Sequence, residues 1–93
     1  MPYQKLHAII SGHVQGVGYR FYTTRVAEMT GVSGWVRNLP DGSVEVTAVG
    51  DDDQIRLFLS ALEKGPAYSQ VERIDKEITG VQDNEFNSFE VEY

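Results

Sequence analysis

The stretch "GHVQGVGYR", Gly12 to Arg20, packs three glycines into seven residues and then runs into an arginine. The residues before it, Lys5 to Ser11, alternate: Leu6, Ala8 and Ile10 take one side, and Lys5, His7 and Ser11 the other. That period belongs to a strand with one face on a core, with Ile9 as its exception. The residues after it, Phe21 to Thr30, change period. Tyr22, Val26 and Met29 are expected to share a helical face, and Gly31 suits the stop after the last turn. The glycines therefore sit at a junction where a strand hands over to a helix.

The same reading continues outward. Val32–Asn38 and Ser43–Val49 read as two strands. "NLPDGS" separates them, with Asp41-Gly42 as a hairpin signal. In the second of these strands Val44, Val46 and Ala48 alternate with Glu45 and Thr47. "DDDQIRLFLSALEKGP" places Ile55, Phe58, Leu59 and Leu62 on one helical stripe, and Lys64, Gly65 and Pro66 end it. Val71–Ile78 is extended, "TGVQDNEFNS" looks least ordered, and Phe89, Val91 and Tyr93 alternate again. The order βαββαβ, plus a short extra strand, predicts an α+β fold: an antiparallel sheet with two helices on one face. We expect one domain over residues 1–93, because a chain this short rarely divides.

Composition narrows the function classes. Hydrophobic residues make up 41% and charged residues 24%, as in ordinary globular proteins. The chain has no cysteine, which removes disulfides, thiolate metal sites and cysteine nucleophiles, and fits a reducing cytoplasm, where we expect the protein to act. "MPYQKLHAII" lacks the features of a signal peptide, and no apolar run approaches a membrane span. A formal net charge of −6 makes nucleic acid a poor partner. A small anionic ligand would need a locally positive pocket.

The glycine-rich junction offers one. Glycine accepts left-handed backbone, and the start of a helix presents free N–H groups at the positive end of its dipole. Such a loop is suited to an anion. Arg20 adds a planar cationic fork that can hold two phosphate oxygens. A cation in the first turn opposes the dipole, so helix stability does not explain it. The motif is neither a Walker A loop nor a dinucleotide fingerprint, whose residues and spacing are absent. Glycines alone would signify only a tight crossover; with Arg20 beside them, anion binding is the better reading.

Other residues read structurally. Asn38 precedes a turn, where asparagine serves its own backbone. His7 and His13 are surface residues by position, and Asp51–Asp53 suit the start of a helix. The three aspartates do not match a calcium loop. Trp35 and the tyrosines are expected to cover the sheet, and the Ser43–Val49 strand lacks the aromatics of an RNA-recognition sheet.

Taken together, "GHVQGVGYR" and "GWVRNLPDGSVE" (Gly34–Glu45) resemble the two signatures of the acylphosphatase family, and the resemblance runs from Lys5 to Tyr93. The first signature commonly has Phe where this chain has Tyr19, a change that keeps the ring. The resemblance implies a ferredoxin-like α/β sandwich and hydrolysis of acyl phosphates to a carboxylate and inorganic phosphate, without metal or other cofactor. It implies that Arg20 binds phosphate and that Asn38 orients water. The amides of Gln15, Gly16, Val17, Gly18 and Tyr19 would complete the cradle. The expected partners are then a small acyl phosphate and inorganic phosphate as product and inhibitor, with no nucleic acid, no membrane and a monomeric chain. A rival of a different class is a non-catalytic module of the same fold that binds a small anion or a protein.

Overall fold

The computed structural model describes residues 2–93. Its elements are β1 (Tyr3–His13), α1 (Tyr19–Thr30), β2 (Ser33–Asn38), β3 (Val44–Gly50), α2 (Asp52–Lys64), β4 (Gln70–Val81) and β5 (Phe89–Val91). The sheet order is β4-β1-β3-β2-β5. The first four strands in that order pair antiparallel, as the alternation implied. The fifth pairs parallel to β2, so the sheet is mixed.

The parallel strand follows from the path of the chain. After β4 at one edge, residues 82–88 cross to the opposite edge, and the chain then runs alongside β2. Gly34 N donates to Ser88 O at 2.9 Å, and Glu92 N donates to Val36 O at 2.9 Å. The crossing segment read as poorly ordered, yet it is tied down. Asn84 Nδ2 donates to Ser33 Oγ at 2.8 Å, and Lys5 pairs with Glu85. β4 also extends through Thr79, Gly80 and Val81, because each pairs with β1.

The inward face of the sheet carries Leu6, Ala8 and Ile10 from β1, Val36 from β2, and Val44, Val46 and Ala48 from β3, all fully buried. The helices cover it. α2 contributes Ile55, Phe58 and Leu62, with Leu59 only partly buried. Its start is closed by a capping box: Gln54 N donates to Asp51 Oδ1 and Asp51 N to Gln54 Oε1, both at 2.8 Å. α1 departs from expectation. It begins two residues early and buries Tyr19, Thr23, Val26 and Ala27, whereas Met29 is 83% exposed. Counting from Tyr19, the buried positions fall at i, i+4, i+7 and i+8, a stripe that leaves Met29 outside.

One irregularity aims the chain toward the junction. Ser11 pairs with Arg73 and Gly12 with Val71, so Glu72 is an extra residue in β4. A side chain at Gly12 would place its Cβ 2.1 Å from Gln70 O, a distance no substituent tolerates. The bulge bends β4 and raises the local twist of the β1–β4 pair just before β1 leaves the sheet.

Candidate functional site

Val14, buried to 1% exposure, is the last anchor before the turn. Gly16 and Gly18 then take left-handed backbone, with φ of 75° and 79°, and a Cβ at either would meet nothing within 4 Å. Conformation, and not crowding, accounts for these two glycines. Gly18 is also the N-cap of α1 and offers no side chain to cap it. The first N–H groups of the helix are thus left for an outside acceptor.

Arg20 is the second residue of α1 and is half-buried. Among the described residues no carboxylate forms an ion pair with it. The guanidinium instead makes an aromatic contact: its carbon lies 5.3 Å from the centre of the Tyr93 ring. Asn38 arrives from the other direction as the last residue of β2, opposite Val44. Its side-chain oxygen is buried and has no hydrogen-bond partner among the described residues. Buried polar atoms are rarely left so.

The two meet at a cleft of about 350 Å³, lined by Gly16, Gly18, Tyr19, Arg20 and Asn38 among others. Gln15 and Val17 do not line it. The Gln15 side chain turns toward the β2–β3 hairpin, where Nε2 donates to Leu39 O and Ser43 O, both at 2.8 Å. Val17 packs against the core. The Tyr19 ring is buried, and its hydroxyl donates to Leu62 O at 2.7 Å. Burial, together with the neighbouring Tyr22, pushes its pKa up, so this phenol stays neutral.

The hairpin that carries Asn38 is firmly made. Leu39 N donates to Ser43 O at 2.9 Å, and Asp41 Oδ1 accepts from Ser43 Oγ at 2.5 Å and Ser43 N at 3.0 Å. The Ser43 hydroxyl, and then its amide, hold the Asp41 carboxyl below its ordinary pKa.

Five further residues reach the cleft that sequence reasoning did not single out: Val14, Phe21, Thr24, Val91 and Tyr93. Phe21, 67% exposed, follows Arg20 directly and was open to suspicion as a surface aromatic. Val91 and Tyr93 arrive only because β5 pairs beside β2, which no local pattern reveals.

The histidines stand elsewhere. His13 ends β1 opposite Gln70 and is exposed. His7 Nε2 lies 2.7 Å from Glu45 Oε2, and Arg37 Nε donates to the other oxygen at 2.7 Å. Burial opposes the charge on Glu45, but these two partners outweigh it and lower its pKa. Neither histidine lines the cleft. Among the described residues no three His, Asp or Glu side chains gather as a metal site would require.

Comparison with known proteins bears on the family and the fold. The acylphosphatase family profile matches residues 6–91. An acylphosphatase from Archaeoglobus fulgidus is 43% identical over 88 residues, covering 95% of this chain and 97% of its own. The crystal structure of acylphosphatase from Bacillus subtilis superposes with a TM-score of 0.91 at 30% identity, covering 97% of this chain and 99% of the other. An acylphosphatase structure from Coxiella burnetii gives 0.85 at 34% identity, covering 97% and 93%. A profile match over nearly the whole chain, relatives of equal length and a shared fold agree, and the chain belongs to the acylphosphatase family.

Proposed function

We propose that this chain hydrolyses acyl phosphates by in-line attack of water on a phosphoryl group held between Arg20 and the loop backbone at Gly16, Gly18 and Tyr19, which line the cleft. Family membership supports the reaction class. The observation that supports the assignment of roles is the unpartnered, buried side-chain oxygen of Asn38, in the same cleft as an arginine with no carboxylate partner. One group lacks a hydrogen-bond donor and the other an anion. A phosphoryl group with an attacking water supplies both.

The chemistry asks little more of the protein. The acyl carboxylate is a good leaving group, so positioning and charge stabilisation carry the reaction. The loop amides and Arg20 hold the phosphoryl oxygens and take up charge as the P–O bond to the acyl group breaks. Asn38 accepts a hydrogen bond from the water and points its oxygen at phosphorus. No His, Asp, Glu or Lys lines the cleft. The proton from the water therefore passes to a phosphoryl oxygen of the substrate, which leaves as inorganic phosphate beside the carboxylate. Product phosphate fits the same cradle and should compete with substrate.

The deciding assay is release of phosphate from acetyl phosphate with a chelator present. Turnover well above spontaneous hydrolysis, undiminished by the chelator, is expected. Phosphate binding without turnover would favour an anion-binding module; activity lost on chelation and restored by a divalent metal would overturn the metal-free scheme.

A further inference from the structure

The two halves of the site ride on different parts of the sheet. The phosphate loop follows β1, and Asn38 ends β2; β3 lies between those strands. Strand pairing alone therefore leaves the loop free to shift against Asn38. In-line attack tolerates little of this, since a displacement of about 1 Å can cost roughly a hundredfold in rate.

One side chain spans the gap. Gln15 Nε2 donates to Leu39 O and to Ser43 O, each at 2.8 Å. Leu39 follows Asn38 directly, and Ser43 faces Leu39 across the hairpin, joined by the 2.9 Å bond from Leu39 N. The chemistry fixes the orientation of the amide: two carbonyl acceptors demand the NH₂ end, which has two protons to give. Among the described residues no other hydrogen bond or ion pair joins residues 14–20 to residues 38–43. Glutamine is suited to this place, because glutamate would set an acceptor against two carbonyls and asparagine is a methylene short.

We propose that Gln15 is a positioning residue: its side-chain amide bolts the phosphate loop to the hairpin and sets the distance between the bound phosphorus and the water held by Asn38. The proposal rests on the reading of the cleft given above. It assigns the Gln15 side chain a task outside the cleft, which Gln15 does not line.

Gln15→Met keeps the length and removes the donor. With acetyl phosphate, kcat should fall about tenfold or more, while KM and the inhibition constant for phosphate change little, the pattern of an interaction realised in the transition state. Gln15→Asn, which keeps the donor but cannot reach both carbonyls, should behave alike and carries the measurement if Gln15→Met does not fold. A variant that melts earlier but keeps the wild-type kcat would make Gln15 a structural residue only and overturn the proposal. A second readout does not depend on turnover. Phosphate added to labelled wild-type protein should shift the amide resonances of Gly16–Arg20 and also those of Leu39 and Ser43, which do not line the cleft. In Gln15→Met the loop shifts should persist and the hairpin shifts disappear. Hairpin shifts of undiminished size in the variant would overturn the coupling, even if the wild type proved inactive on acyl phosphates. A wild type that turns nothing over, yet shows the coupled shifts, would remove the catalytic reading and leave the bolt in place.

Discussion

Among the described residues the Arg20 guanidinium has no ion-pair partner and the Asn38 side-chain oxygen no hydrogen-bond partner, but the two lacks have different consequences. A half-buried guanidinium beside a ring keeps part of its hydration, so Arg20 waits for an anion at modest cost. The Asn38 oxygen is buried with no protein donor among the described residues, and until a water enters the cleft beside it, it carries the penalty of an unmade bond, about 1–3 kcal/mol. Arg20→Gln should therefore weaken binding: phosphate inhibition falls roughly ten- to a hundredfold, the value of a hydrogen bond to a charged group. Unchanged inhibition would remove Arg20 from the site. Asn38→Ala should act on rate instead, lowering kcat by about a hundred- to a thousandfold with KM and phosphate inhibition nearly intact. It should also leave stability unharmed or improved, because the oxygen it deletes is unsatisfied. Normal turnover by a less stable variant would make Asn38 a turn residue and nothing more. The sequence was informative about these two positions to different degrees. Arg20 was legible because a cation at a helix start breaks a local rule. Asn38 obeyed its local rule, and only a motif resemblance pointed to it; the missing partner is a tertiary fact.

At the scale of elements, α1 and α2 are joined by two tyrosine hydroxyls that differ in importance. The last carbonyls of a helix have no partner within it. Tyr22 donates to Ala61 O at 2.8 Å, but Gly65 N already reaches that oxygen at 3.0 Å. Tyr19 donates to Leu62 O at 2.7 Å, and the residue four further on is Pro66, which has no N–H to give. Leu62 is fully buried, so water cannot substitute. Tyr19→Phe should then lower stability by about 1–3 kcal/mol, and Tyr22→Phe by about 1 kcal/mol or less. Denaturant melts of the two variants test the order; equal losses would show that the hydroxyl of Tyr19 is not the cap of Leu62. Tyr19 was read as a ring that replaces Phe without consequence. Pro66 was read as a stop signal. What links them is the Tyr19–Leu62 bond, whose partners lie 43 residues apart in sequence, beyond any periodic pattern. Periodicity located both helices and the four long strands, because each buries one face. It assigned Met29 to the inward face of α1 because the true start of that helix, at an uncapped glycine, carries no cap signal.

The whole molecule sets a condition that the site must overcome. Its extents are 35 × 23 × 21 Å, and it carries a formal net charge of −6 around a cleft proposed to take an anion. The antiparallel pairing of four strands under two helices follows from two split βαβ units, and that much was readable; the order of the strands was not read. The fifth strand was not readable as parallel, since three residues pair by proximity after a long crossing. It brings Val91 and Tyr93 to the cleft and leaves Glu90 and Glu92 exposed on the same short segment. An approaching phosphate dianion meets two fields. At about 15 Å from the centre, six negative charges repel it by roughly 3 kcal/mol in unscreened water. At contact, Arg20 and the loop amides attract it over a few ångströms. Salt separates the two, because the screening length falls from about 30 Å at 0.01 M to about 10 Å at 0.1 M. Over that range the repulsion should shrink while the contact attraction is largely kept. The expected result is a kcat/KM for acetyl phosphate that rises several-fold with ionic strength, at constant pH and with a salt anion shown not to compete with phosphate. Enzymes steered by a positive field behave in the opposite way. A steep fall in kcat/KM over the same range would mean that the local field of the cradle reaches beyond the protein surface and governs encounter, and that the net charge of the chain has no part in it.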